Sequence, residues 1–242
     1  MKSIVLALIS LMYISGDSCQ GNYTSSYVKG SVDSMISADK EVDLPAFHGV
    51  SNSIHADVTI KQGSTQRVNV EGPQEMLDLL ELEVKSGILH IGYNKRNVRN
   101  TKKVYFDISL PKLDYASVSG SGDIEGSGFS GGDKLKLRVT GSGSINMDAK
   151  TDRMEVHITG SGKIRCKGSA QDGSVSITGS GGYHGENFIM QAAEVSITGS
   201  GDAEMHVTGE LSGNITGSGD VIGHGNPRAK MKITGSGSYK DA

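Results

Sequence analysis

The sequence contains no tryptophan and only four prolines, four phenylalanines and two cysteines in 242 residues. Without tryptophan, and with aromatics at 5%, it has little of the flat apolar surface on which proteins commonly lay sugar rings. The prolines follow no three-residue period, which excludes collagen and proline-rich disorder. Two cysteines cannot make a disulfide framework, and a bridge from Cys19 to Cys166 would tie a leader to a core strand. A buried free thiol at Cys166 is the better expectation. Net charge is small, at −3 from 24 basic and 27 acidic residues, so there is no electrostatic reason to bind nucleic acid.

Long apolar runs are also missing. The run from Ile4 to Ile14, after Lys2 and before small and polar residues, is too short to span a bilayer and has the anatomy of an export signal over residues 1–18. Cys19, after Gly16, Asp17 and Ser18, resembles the lipid-modified cysteine of a bacterial lipoprotein, although Gly16 and Asp17 depart from the usual pattern. Lipidation at Cys19 and plain secretory cleavage nearby are both open. A lipid there would be the chain's one link to a membrane. Residues 19–45 are polar and without sustained alternation, and read as a tether or loosely held cap.

What is abundant is glycine, at 34 residues, and it is organised. A Gly-Ser-Gly triplet begins at Gly120, Gly141, Gly160, Gly179, Gly199, Gly217 and Gly235, with spacings of 21, 19, 19, 20, 18 and 18. Its second glycines are Gly122, Gly143, Gly162, Gly181, Gly201, Gly219 and Gly237. Two residues before each triplet stand Val118, Val139, Ile158, Ile177, Ile197, Ile215 and Ile233, with polar residues between the apolar ones. That two-residue period, rich in β-branched side chains, is a half-buried strand. A strand unit returning about every 19 residues is too short for a propeller blade of about 40 and fits one coil of a β-helix. Coils stacked at about 4.8 Å put the seven triplets along about 29 Å. In register, Ile158, Gly160 and Gly162 point inward while Thr159 and Ser161 point outward. The glycines are then corners, and the threonine and serine columns are expected to lace coils together through their hydroxyls.

Upstream, the segments at 54–60, 67–70, 80–84, 87–91 and 104–110 alternate in the same style, and residues 73–82 read as a short helix. With "FHGVSNSIHADVTIKQG" at 47–63, "LELEVKSGILHIG" at 80–92 and "VSGSGDIEGSG" at 118–128, the chain resembles the GIN-type head domain family named for auto-transporter adhesins and common in Bacteroidetes. The resemblance covers about residues 46–242. It implies one right-handed parallel β-helix, all-β, exported to the periplasm, outer membrane or cell surface, and it carries no catalytic residues.

Chemistry finds few footholds. Asp123, Asp202 and Asp220 follow the triplet directly, but the calcium-binding repeat needs a nine-residue period, so these read as solvated turn residues. His206 and His224 fall seven residues after their triplet glycines, with Glu186 at the same offset one coil earlier. Stacking would place the histidines about 5 Å apart, a metal pair or a coincidence of repetition. No serine, histidine or cysteine constellation suggests catalysis, and no cofactor is implied. The reading is therefore a non-enzymatic binding or structural module with an unidentified surface ligand: glycan, protein or lipid. Two alternatives are a carbohydrate-active enzyme, which an acidic pocket of three or more carboxylates would favour, and a lipid-binding protein, which a broad apolar groove would favour. The last coil, at "GSGSYKDA", shows no capping helix, which suggests either charged guards or pairing with another copy.

Overall fold

In the computed structural model, residues 37–95, 98 and 102–242 are described. The leader, Cys19 and the segment up to residue 36 lie outside them. In chain order the elements are β1 (Ser37–Glu41), β2 (Gly49–Asn52), β3 (Ala56–Gln62), β4 (Arg67–Pro73), α1 (Gln74–Leu77), β5 (Leu80–Lys85), β6 (Ile88–Tyr93), β7 (Val104–Leu110) and β8 (Tyr115–Gly120). There follow β9 (Asp123–Gly141), β10 (Ser144–Gly160), β11 (Lys163–Gly179), β12 (Gly182–Gly199), β13 (Asp202–Gly217), β14 (Asp220–His224), β15 (Arg228–Gly235) and β16 (Ser238–Asp241). They form a parallel β-solenoid of about seven turns.

From β9 to β13, one bent strand makes up nearly a whole coil, interrupted only at Ser-Gly of each triplet. Like lies over like: Val156 faces Val175, Ile158 faces Ile177, Thr159 faces Thr178 and Gly160 faces Gly179. The column Val118, Val139, Ile158, Ile177, Ile197, Ile215 is at most 1% exposed, and each such side chain contributes about 1.5–3 kcal/mol of burial. The seventh member, Ile233, is 41% exposed, because β15 pairs with β13 on one side only.

The N-terminal coils do not stack in chain order. β2 lies between β6 and β8, and β3 between β7 and β9, all parallel, so β2 and β3 form the second coil and the chain later returns beneath them as β6 and β7. Between these passes it makes an antiparallel annex: β4 pairs with β7, β1 with β4, and β5 with β6. Residues 37–41, within the segment read as a tether or loosely held cap, thus form a strand. The helix expected over 73–82 is one turn, α1, because Leu80, Leu82 and Val84 are taken into the hairpin with β6.

The triplet works differently at its two glycines. Strict alternation turns Gly160 inward, but its φ of +107° breaks the pleat and leaves it half-exposed at the corner. A Cβ there would lie 2.7 Å from the Gly141 carbonyl oxygen. Gly162 is buried, and a Cβ on it would lie 2.3 Å from Val139 Cγ1 and 2.6 Å from the Gly143 carbonyl. Coils are laced at this corner by backbone, not hydroxyls: the Ser161 amide donates to the Gly141 carbonyl at 2.9 Å and the Ser180 amide to Gly160 at 2.9 Å. Among the described residues no hydroxyl of the threonine column hydrogen-bonds to a neighbouring coil. The outward geometry leaves these groups to water.

Candidate functional site

Because inward positions are consumed by the core, outward side chains of β10 to β13 are where this chain can differ from coil to coil. Three columns run up one face, one of them Arg138, His157, Ser176, Ser196, Asn214 and Lys232. Lys136, Glu155, Ser174, Glu194, Ser212 and Lys230 form the middle one, flanked by Lys134, Arg153, Asp172, Ala192, Glu210 and Arg228. Cations therefore mark both ends of the face and carboxylates its middle. A shallow, mostly polar groove of about 400 Å³ crosses β10 to β13 there, over the small buried residues Gly173 and Ala193.

Four carboxylates line this groove: Glu155, Asp172, Glu194 and Glu210. That number alone suits the catalytic alternative, so their pairing matters. Glu155 lies 2.7 Å from Lys134 Nζ, whose hydrogen bond holds the carboxyl below its ordinary range, opposite to the shift a general acid needs. Asp172 lies 3.7 Å from Arg153 and Glu210 3.1 Å from Arg228. Among the described residues Glu194 alone of the four has no ion pair or hydrogen bond. The face also carries His157, half-buried, whose imidazole is held below its usual value by burial and then by Lys136. This is a set of ion-paired acids around one carboxylate that has no such partner among the described residues and can accept hydrogen bonds.

The residues singled out by spacing are dispersed differently. Asp123 Oδ1 accepts from the Ser144 amide at 3.1 Å and hydroxyl at 2.6 Å, and Asp220 Oδ1 from the Ser238 amide at 2.8 Å and hydroxyl at 2.7 Å. Asp202 accepts from the Asp220 amide at 2.9 Å. These aspartates are braces between coils, not free turn residues, and the bonds from Ser238 lower the Asp220 carboxyl. His206 and His224 are in register, with ring centroids 6.5 Å apart and planes tilted by 36°. Glu186 does not share their row: β12 bulges after Gly185, so that Ile189 faces His206. The bulge instead brings Glu186 beside His184 and Glu204, a set the spacing did not indicate. Cys166 is a buried free thiol, pushed up to about 12 by desolvation beside Tyr183.

A second hollow lies in the annex, between Val42, Leu44, Val70, Leu77, Leu80 and Leu82. It is apolar but holds only about 40 Å³, room for about three waters. No described helix is long and apolar enough to cross a membrane.

A putative adhesin from Bacteroides fragilis matches with a TM-score of 0.79 and 21% identity, over 85% of this chain and 97% of that one. A putative adhesin from Parabacteroides merdae gives 0.68 at 21% identity, over 85% and 96%. A putative lipid binding protein from Parabacteroides distasonis gives 0.69 at 22% identity, over 85% and 96%. At these identities the likeness is one of fold. Comparison with curated proteins gives no match. The family model described as "Putative auto-transporter adhesin, head GIN domain" matches residues 46–227, and the chain belongs to that family.

Proposed function

We propose that this protein is an exported, non-catalytic binding module of the bacterial envelope, and that the groove across β10 to β13 is its ligand face. The observation that carries the reading is Glu194: a carboxylate without a partner among the described residues, between Ser174 and Ser212 in one column, over a floor of small residues. A free carboxylate flanked by hydroxyls suits a hydroxyl-rich ligand, and a glycan is the class the groove fits best. Export is supported by the apolar leader at 4–14, and Cys19 is the residue we propose for lipid attachment. The exposed edge of β15 and β16 is where another copy would add a coil.

The lipid reading has the annex hollow in its favour, but about 40 Å³ is too small for an acyl chain. Binding to an immobilised glycan panel tests the main reading. The wild type is expected to retain at least one glycan unchanged, and Glu194→Ala with Ser174→Ala to weaken that binding about tenfold, as loss of a hydrogen bond to a charged group implies. Equal binding by the variant, or hydrolysis of the bound glycan, would contradict the proposal.

A further inference from the structure

The bulge in β12 has a chemical consequence. His184 sits in register with Glu204 on the next coil, and Arg165 on the coil before. After Gly185, three residues of β12 find no partner in β13, since Gly185 faces Met205 and Ile189 already faces His206. Such bulges re-aim side chains, and this one turns Glu186 back along the face. One ligand atom each from His184, Glu186 and Glu204 then lies within 4.8 Å of the other two. The bulge is held in place from the next coil: the His206 Nδ1–H donates to the Glu186 carbonyl at 3.1 Å. On the near side Gly182 leaves the space His184 uses, since a Cβ there would stand 3.3 Å from Nε2.

We propose that His184, Glu186 and Glu204 form a binding site for a divalent transition-metal ion, with Zn²⁺ the best fit. One imidazole nitrogen and two carboxylate oxygens are a borderline donor set, better matched to zinc than to calcium, which takes six to eight oxygens. Ligand atoms around a tetrahedral zinc at about 2.0–2.1 Å are separated by about 3.4 Å, so modest rotation of two half-buried side chains and the exposed Glu186 closes the site. The two carboxylates offset the ion's charge, and the Arg165 row tempers affinity rather than removing it. Three protein ligands leave one position open, so an ion held here could take an oxygen or nitrogen ligand from another molecule. His206 is a positioning residue, fixing the bulge. His224 stands one coil further and takes no part.

Equilibrium dialysis of the mature protein with Zn²⁺, alongside thermal unfolding with and without the ion, tests this. One ion per chain is expected, together with a raised thermal midpoint, because a ligand that binds only the folded state stabilises it. His184→Ala and, separately, Glu204→Gln should each weaken binding about tenfold or more. His224→Ala should leave it unchanged. Circular dichroism identifies any variant that has lost its fold, and Glu186→Gln then supplies the second measurement. The proposal is overturned if no stoichiometric Zn²⁺ binds, if His184→Ala binds as tightly as wild type, if only His224→Ala weakens binding, or if Ca²⁺ binds in place of Zn²⁺.

Discussion

Asn52 is the fully buried polar side chain on which the second coil turns. Its Nδ2 donates to the Ala56 carbonyl at 3.0 Å, and its Oδ1 accepts from the Ile54 amide at 3.1 Å, so one side chain satisfies both ends of a corner that elsewhere needs two glycines. It also forms the floor of the buried glycine column, since a Cβ on Gly122 would lie 2.4 Å from Nδ2. Replacing it with an apolar residue of similar size, Asn52→Leu, leaves the amide and carbonyl unpaired at about 1–3 kcal/mol for each. Urea unfolding should therefore show a lower midpoint with an unchanged slope. A midpoint equal to wild type would mean that water reaches this corner. Nothing in "SNSIHA" announced the role, because an asparagine between strands reads equally well as an exposed turn. The bracing role of the aspartates is hidden for the same reason: position after a triplet is visible in sequence, but the amide one coil above is not.

At the level of strands, register decides the electrostatics. β9 sets Lys134, Lys136 and Arg138 opposite Arg153, Glu155 and His157 of β10. Glu155 answers Lys134, while the imidazole of half-buried His157 is held below its usual value by burial and then by cations on the neighbouring strand. Its folded value lies below the unfolded 6.5, so the unfolded chain binds more protons below that pH. The stability is present above 6.5 and is lost as pH falls through the folded value; Glu155, also lowered, adds a second loss below its ordinary 4.5. The thermal midpoint should fall between about pH 7.5 and pH 5.5, and fall less in His157→Asn. An equal fall in both proteins would assign the acid sensitivity elsewhere. Strand identity itself was legible from alternation. The pairing of the early strands was not, since a two-residue period says which face is buried but not whether a neighbour runs parallel. Residues 73–82 show the limit from the other side: Met76 and Leu77 are buried as a helix face would be, yet tertiary pairing takes Leu80 onward into β5. The β12 bulge is not legible because a coil of 20 residues among coils of 18, 19 and 21 says only that extra residues exist, not where they project.

For the whole molecule, each coil contributes a thin slice of core that is stable only against its neighbours, so stability accumulates along the stack. The triplets are what allow the slices to approach: a positive φ at the first glycine turns the corner, and the bare second glycine admits the carbonyl and the branched side chain of the coil beneath. The outward residues are the ones that vary from coil to coil, and the two proposed sites, the groove around Glu194 and the cluster at His184, lie among them, which is why the repeat is readable from sequence and they are not. The most direct test of this division is equilibrium denaturant unfolding of Gly162→Ala beside Ser161→Ala. Ser161 is exposed and its hydroxyl has no partner among the described residues, so its loss should change stability by no more than about 0.5 kcal/mol. Gly162→Ala forces a methyl against Val139 and the Gly143 carbonyl and should cost about 1–3 kcal/mol in overpacking, lowering the midpoint of the unfolding transition. A Gly162→Ala protein as stable as the wild type, or a Ser161→Ala protein destabilised as much as Gly162→Ala, would contradict the account.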